Sequence, residues 1–422
     1  MKLSEELIWR GFSAENTLEK PEDLDNRASK KFYFGADPSA DSLTIGNLAA
    51  MMMCACFVRH GYEPTLLVGG ATGQIGDPKE TGERDLKSLE EVEHNKKCIK
   101  SQMSRVIKSD SLEMVDNLDW FKDVNYLTFL REIGKTFSMT QLLDRQFIQA
   151  RIGAGGSGIS YAEFSYTLIQ GYDFLHLYRK KGISLQLCGA DQFGNASTGI
   201  HLIKRLENAR ADVWSTPLII DPVSGRKFGK SEGNAVWLAS EPATKPNGEK
   251  SENYTSIFDF YQFWLNQPDE SVEYLIKIYT TLEKSEIEKV LEESKTSPEL
   301  RLAQKSLAKN VTEVVHGASA ASAAEFATNL LFSKDNAALK NRLDSEGFKK
   351  LASVLGSTSL AENPDLLSAL VASKLASSKS EARKLIKSGA ISVNGEKISD
   401  ESLVLKESSL LKRGKNKFAI VK

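Results

Sequence analysis

Through about the first 220 residues, short apolar runs of strand length alternate with longer runs of helical period. Lys31–Gly35 reads as a strand, and Leu43–His60 reads as a helix, apolar nearly all round, with Gly61 as its stop. Thr65–Val68 predicts a strand that ends in Gly69-Gly70, and Tyr161–Tyr178 a helix rich in aromatics. Ser184–Leu187 predicts a strand leading into Cys188-Gly189-Ala190-Asp191, and Pro217–Asp221 another. Such βα alternation implies a parallel sheet covered by helices, with ligands at the carboxyl ends of its strands.

Beyond Glu252 the period turns helical, with helices expected at Ile257–Leu265, Val272–Leu282 and Ser285–Glu293. The stretch Lys334–Pro364 is more polar and reads as a linker. In the last module, Ser378 and Glu381 have capping-box spacing before a short basic helix ending at Lys387, and Gly389 closes it. Ile391–Ile398 reads as a hairpin about Asn394-Gly395, a pair suited to a type I′ turn. The expected architecture is an α/β, Rossmann-like parallel-sheet domain (1–235), an all-α domain (236–335), a linker (336–364) and a small α+β module (365–422).

Composition narrows the class. A chain of 422 residues exceeds one ordinary domain, and 41% hydrophobic with 26% charged residues describes a globular protein. The net charge of −1 is unevenly spread. From Leu366 onward twelve Lys/Arg face five Asp/Glu, a surplus of +7, which leaves −8 on the rest. This asymmetry points to a nucleic-acid-facing tail on an acidic body, with a merely solvated basic surface as the alternative. Met1–Phe12 carries Glu5 and Glu6 and does not read as a secretory signal, and no run is apolar enough to span a membrane, so a cytoplasmic protein is expected. Cys54, Cys56, Cys98 and Cys188 lack CxxC spacing and read as reduced, mostly buried thiols. Five histidines show no metal-ligand spacing, so no structural metal is expected.

Gly153-Ala-Gly155-Gly-Ser-Gly158 matches GxGxxG, but it follows a helix-like segment rather than a strand. The dinucleotide fingerprint needs strand, turn and helix in that order, so this reads as a loop. Lys227-Phe228-Gly229-Lys230-Ser231 carries more chemistry. Two ammonium groups beside small residues can clamp a polyphosphate. At the other end of the domain, Thr44, Gly46 and Asn47 open the Leu43–His60 helix. A helix start offers unpaired N–H groups and a favourable dipole to phosphate. Thr44 and Asn47 are three apart, share a face and can each donate a hydrogen bond. Gly46 would let a nucleotide approach the backbone. Simple helix capping is the alternative for Thr44 and Asn47.

Five ordered motifs carry a resemblance: Tyr33…Asp37-Pro38 through Thr44-Ile-Gly46-Asn47; Gly69-Gly-Ala-Thr-Gly73-Gln-Ile-Gly76-Asp77-Pro78; Tyr166…Gln170-Gly-Tyr-Asp173; Gln186…Asp191-Gln192-Phe-Gly-Asn195; and Lys227-Phe-Gly-Lys230-Ser231. Together they resemble the bacterial tyrosyl-tRNA synthetase family across nearly the whole chain, and the last module resembles an S4 RNA-binding domain. The resemblance implies a class I homodimeric enzyme with ATP, tyrosine and tRNA(Tyr) as its partners. Mg²⁺ would ride on the nucleotide rather than in a protein cage.

The resemblance also implies roles. Tyr33 and Asp173 would read the substrate phenol, which phenylalanine would leave unpaired. Asp77, Tyr166 and Gln170 would hold the α-ammonium. Asp191 would bind the ribose, with Gly35, Asp37, Gly46 and Gly189 near the adenylate and Gln192 at the reacting carboxyl or α-phosphate. Thr44, Asn47, Lys227, Lys230 and Ser231, with Lys79 and Arg84 after the Gly-rich loop, would meet the charge growing on pyrophosphate. For RNA, Lys204 and Arg205 would face the acceptor stem. Lys379, Arg383, Lys384 and Lys387 on the basic helix, with Lys412, Arg413 and Lys415, would contact phosphates.

Three positions depart from the family pattern. Histidine is usual at the place of Thr44, and Gly and Ser are expected at the places of Cys188 and Ala190, where a Cys side chain would narrow the approach to adenine or ribose. A tryptophan-specific synthetase and a non-catalytic RNA-binding or splicing helper of synthetase descent remain the alternatives.

Overall fold

The computed structural model describes residues 1–77, 86–143, 146–153, 157–220, 225, 235–333, 339 and 342–422. The chain divides into two compact units: Met1–Tyr254 with Asp269–Thr280, and Thr255–Pro268 with Thr281–Lys422.

The first unit is built on five parallel strands: β1 (Lys31–Ala36), β2 (Glu63–Val68), β3 (Glu113–Asp116), β4 (Leu185–Gly189) and β5 (Asp212–Thr216). Their order is β3-β2-β1-β4-β5. Tyr33 stands opposite Thr65 on one side and Gln186 on the other. The chain leaves β1 toward β2 and β3, then returns to β4 on the opposite side, so the strand order reverses between β1 and β4. Ligands in open α/β sheets sit outside the carboxyl ends of the strands at such a point.

Two expectations shift. The strand expected at Pro217–Asp221 lies at Asp212–Thr216, where Asp-Val-Trp-Ser-Thr is buried throughout. Edge strand β3, only four residues long, gave no apolar run to read.

Helix Ile45–Arg59 is buried over Leu48–Phe57, which explains why its sequence is apolar all round. Helix Tyr161–Lys181 starts at a capping box, Ser160 with Glu163, and ends at Gly182 in the left-handed region. The GxGxxG segment does follow a helix, Gln146–Ile152. Arg151, paired with Glu163 at 2.9 Å in the interior, donates to the Gly158 carbonyl at 2.6 Å and so pins its far end.

Helix Asp269–Tyr279 was expected in the all-α domain but belongs to the first unit. The Tyr279 hydroxyl donates to the Ile45 carbonyl, and the Arg10 guanidinium donates to the carbonyls of Lys277 and Thr280. These long-range bonds, not the local period, decide where it packs.

In the second unit, helices Ile257–Leu265, Leu302–His316 and Ala318–Leu331 pack together. The segment expected as a linker contains helix Ser345–Leu355 and β6 (Ser357–Thr358). A mixed sheet, β6-β10-β9-β7-β8, completes the unit with β7 (Ile391–Val393), β8 (Glu396–Lys397), β9 (Ser409–Arg413) and β10 (Lys417–Val421). The Asn394-Gly395 turn is as expected, with φ of 50° and 86°. Phe258, Phe332 and Phe418 form one aromatic cluster, which joins the helices to the last sheet.

Candidate active site

Two chains of hydrogen bonds converge at the carboxyl ends of the strands. Asp173 lies on helix Tyr161–Lys181 and is 2% exposed. Its two oxygens accept from Asn117 Nδ2 (3.1 Å) and Trp120 Nε1 (3.0 Å). Asn117 also donates to the Thr72 hydroxyl, Thr72 donates to Asp37 Oδ1 (2.7 Å), and the Tyr166 hydroxyl donates to Asp37 Oδ2 (2.7 Å). The second chain starts at Asp77, whose Oδ2 accepts from Gln192 Nε2 (2.9 Å). Gln192 Oε1 accepts from Asn195, and Asn195 accepts from the Thr167 hydroxyl.

Asn117, Trp120 and Thr72 were missed from sequence. Thr72 follows β2 within the Gly-rich motif, where the signal was present; Asn117 and Trp120 follow β3, which the sequence did not reveal. The glycines between them have a packing reason. A Cβ on Gly69 would come within 2.2 Å of Asp37 Oδ1, and one on Gly70 within 2.2 Å of Asp116 Oδ1. Only bare backbone lets these carboxylates close in.

The electrostatics follow from burial. Burial pushes the Asp173 carboxyl well above the usual range, against the bonds from Asn117 and Trp120 that favour its charge. Burial, followed by the Asp173 charge, raises the Tyr33 phenol. Tyr166 is raised by burial and then by Asp37 and Asp77. Asp37, Asp77 and Asp173 all act on the Tyr166 phenol.

Two buried side-chain atoms of the motif residues are unpaired among the described residues. Tyr33 is 2% exposed, its ring packs on Phe174 at 5.2 Å, and its hydroxyl has no hydrogen-bond partner among the described residues. Gln170 Oε1 is in the same condition. A buried hydroxyl and a buried amide oxygen without partners are costly, and a polar ligand would relieve both.

On the nucleotide side, Gly35 lies two residues beyond Tyr33 on β1 and is exposed. A Cβ there would meet Leu67 at an ordinary 3.7 Å, so packing alone does not require glycine. Asp191 is exposed just after β4, in the turn that Gly189 opens. Cys188 does not narrow this approach: it is 4% exposed and packs in the core beside Tyr33. Gly46 and Asn47 are half-buried in the first turn of helix Ile45–Arg59. The Thr44 hydroxyl donates to Asn47 Oδ1 at 3.0 Å. Lys79, Arg84, Lys227, Lys230 and Ser231 lie outside the described residues.

Lys204 and Arg205 are exposed in the last turn of helix Phe193–Glu207, where cations also suit the helix dipole. In the last module Lys379, Arg383, Lys384 and Lys387 are exposed on helix Lys379–Lys387, and Lys415 is exposed in the β9–β10 turn. Four RNA expectations meet internal partners. Arg413 pairs with Glu381 at 3.0 Å and donates to the Leu375 carbonyl, and Lys412 sits 5.2 Å from the Phe418 ring. Glu401 reaches both Arg383 (3.5 Å) and Lys387 (3.3 Å).

Sequence spacing did not anticipate one compact ligand-type group, Glu6 with Cys56 and His60. Arg10 and Arg59 both lie 2.6 Å from Glu6, so that carboxylate already has cationic partners.

Residues 25–333 match the family described as tRNA synthetases class I (W and Y), and the chain belongs to that class. Residues 345–422 match the tyrosine–tRNA ligase SYY-like C-terminal domain. Within the class the chain belongs to the tyrosyl-tRNA synthetase family. A tyrosine–tRNA ligase of Pediococcus pentosaceus is 37% identical over 100% of both chains. One from Staphylococcus haemolyticus is 38% identical, covering 99% of this chain and 98% of its own. A C-terminally truncated mitochondrial tyrosyl-tRNA synthetase of Coccidioides posadasii superposes with a TM-score of 0.65 at 27% identity, over 77% of this chain and 91% of its own.

Proposed function

We infer that this chain is a tyrosine–tRNA ligase, which activates tyrosine with ATP and transfers it to the 3′ end of tRNA(Tyr). The observation that carries the specificity is the buried Tyr33 hydroxyl, unpaired beside the Asp173 carboxyl. A substrate phenol supplies what Tyr33 lacks: its oxygen accepts from Tyr33, and its O–H donates to a remaining lone pair of Asp173, whose oxygens also accept from Asn117 and Trp120. The α-ammonium then lies among Asp37, Asp77 and Tyr166, with Gln170 Oε1 as a further acceptor.

Activation needs no general base, because the tyrosine carboxylate is already ionised at neutral pH. Its oxygen attacks the α-phosphorus of ATP. The bond from that phosphorus to the bridging oxygen breaks, and pyrophosphate leaves with the electron pair. The work of the protein is to align the two reactants and stabilise the departing charge. The helix start at Asn47 and the Lys227, Lys230 and Ser231 loop serve the leaving group, with Lys79 and Arg84 adding charge. Asp191 holds the ribose beside Gly35 and Gly189. Gln192 contacts the reacting carboxyl or α-phosphate while its amide nitrogen stays on Asp77. Mg²⁺ enters on the nucleotide. In the second step a terminal ribose hydroxyl of the tRNA attacks the adenylate carbonyl, the bond from that carbon to the phosphate oxygen breaks, and AMP leaves with the electron pair while its phosphate takes up the hydroxyl proton.

Lys379, Arg383, Lys384, Lys387 and Lys415 supply phosphate contacts for the tRNA, with Lys204 and Arg205 toward its acceptor stem. The enzyme works in the cytoplasm as a homodimer. Exposed Tyr126, Leu127, Met139, Ile152 and Tyr161 support a self-contact surface. No described helix is long and apolar enough to cross a membrane.

The test is aminoacylation of tRNA(Tyr) by the purified protein with radiolabelled amino acids. Tyrosine alone should be attached. Attachment of tryptophan instead would keep the class and overturn the phenol reading. Binding of tRNA without attachment would favour the non-catalytic helper.

A further inference from the structure

Helix Leu89–Val106 is tied to segment 38–43 at two levels. Asn95 Nδ2 donates to the Pro38 carbonyl at 3.0 Å. Further along, Gln102 Oε1 accepts from Leu43 N at 2.8 Å, and Gln102 Nε2 donates to the Ser42 hydroxyl. His94 and Cys98 lie one turn apart on the helix face that continues to Gln102. Cys98 Sγ stands 3.7 Å from His94 Nε2, and Asp41 Oδ2 stands 4.0 Å from the same nitrogen. One ring nitrogen thus faces a thiol and a carboxylate. Spacing among the histidines could not show this, because Asp41 comes from a distant segment. The Asp41 carboxylate is held on one side and bare on the other. It is 5% exposed, and its Oδ1 accepts from Asn253 Nδ2 at 2.6 Å. Its Oδ2 has no hydrogen-bond partner among the described residues, a costly condition in the interior.

We propose that Asp41, His94 and Cys98 form a zinc site that fastens helix Leu89–Val106 to segment 38–43, with a fourth position for water. Carboxylate oxygen, imidazole nitrogen and thiolate sulfur are all zinc ligands, and sulfur argues against Mg²⁺ or Ca²⁺. Two anionic ligands and a neutral imidazole balance a divalent charge. In a tetrahedral zinc site, nitrogen and sulfur ligands lie about 3.5 Å apart, and nitrogen and oxygen about 3.3 Å. The observed separations are a little wider, so the cation draws the half-buried His94 and Cys98 inward. The Asn253 amide fixes the carboxylate from behind, as outer partners of metal ligands do. Without a cation, burial and then the Asp41 charge raise the Cys98 thiol, which argues against a reactive thiolate. The Glu6, Cys56 and His60 group differs, because Arg10 and Arg59 already meet its carboxylate.

The test is titration of the full chain, reduced and freed of metal by a chelator, with Co²⁺ as a coloured stand-in for Zn²⁺. One equivalent should bind with a thiolate-to-cobalt absorption band, and added Zn²⁺ should displace it. Cys98→Ala should lose the band. Asn253→Ala, which removes only the orienting bond, should weaken binding about tenfold, and His94→Ala and Asp41→Asn should weaken it more. A band that survives in Cys98→Ala would place the metal on another thiol, such as Cys56, and would overturn the proposal. So would a wild-type protein that takes up neither ion, or equal uptake by wild type and all variants.

A second readout is the melting temperature. Zn²⁺ should raise it in wild type and leave it unchanged in Cys98→Ala. Equal shifts in both would also count against the site. If Asp41→Asn does not fold, the half-buried His94 and Cys98 carry the comparison alone. Neither readout uses turnover, so a failure of the aminoacylation reading would leave both intact.

Discussion

Asp173 and Glu6 are both acidic groups held out of water, and their surroundings move them in opposite directions. Burial raises Asp173 in the folded protein, so its carboxylate form is harder to make there than in the unfolded chain. That contribution to stability is complete below the unfolded value of 3.8 and is lost as the pH rises through the folded value. Asp173→Asn should flatten the fall of stability with rising pH, although its single acceptor oxygen serves only one of the Asn117 and Trp120 donors, while tyrosine loses its advantage over phenylalanine. A melting series across pH checks the first part and exchange assays the second. For Glu6, burial alone would raise the carboxyl, but hydrogen bonds from His60 and Arg10 and the charges of Arg59 and Arg10 outweigh it and hold the group down to about 2. Its contribution is present above 4.5 and is lost as pH falls from there toward 2. Glu6→Gln should cost on the order of 3 kcal/mol at pH 7 and should flatten acid unfolding between those values. At this scale the sequence was most legible in the grouping of residues within a short motif, as with Tyr166, Gln170 and Asp173 on one helix. Asn117 and Trp120 escaped because their link to Asp173 spans 56 and 53 positions, and no local period records it.

Helix Tyr161–Lys181 carries Tyr166, Gln170 and Asp173, proposed above to read tyrosine, and it approaches helix Phe193–Glu207 through a glycine on each. A Cβ on Gly171 would meet Thr198 Cγ2 at 2.7 Å, and one on Gly199 would meet Phe174 Cβ at 2.6 Å. Phe174 is next in sequence to Asp173 and packs on Tyr33. Gly199→Ala should cost about 1–3 kcal/mol by overpacking, and should raise KM for tyrosine more than KM for ATP. Denaturant melts and steady-state exchange would check the two effects. Elements with a clean period or a defined turn were readable from sequence, as with helix Ile257–Leu265 and the Asn394-Gly395 turn. Strand β3 was not, because its burial is only partial and four residues cannot establish a pattern. β5 was placed late because the Pro217–Asp221 run beyond it looked equally strand-like in hydrophobicity.

For the whole molecule, Ser378 caps the basic helix as expected, but the Glu381 carboxylate accepts from Ser377 instead of closing the box, and the boundaries before this helix were not legible. The polar stretch expected as a linker supplies β6, whose partner is β10: Ile420 stands opposite Ser357. A cut near Glu362 would therefore strand β6. A chain ending at Ser333 removes the sheet as a whole, and it should keep tyrosine-dependent exchange near the wild-type rate while tRNA affinity falls at least tenfold. Filter binding at two salt concentrations would show this, since the contacts proposed for the tail are to phosphates. Retained affinity would mean that the basic helix is only a solvated face.

The central claim is that Tyr33 and Asp173 read a phenol. Its most direct test is the ratio of kcat/KM for tyrosine to that for phenylalanine in pyrophosphate exchange, in wild type and in Tyr33→Phe. The account predicts strong preference for tyrosine in wild type and a ratio lowered about threefold or more in the variant, through one lost hydrogen bond. An unchanged ratio would contradict it and would leave the unpaired Tyr33 hydroxyl without a ligand to explain it.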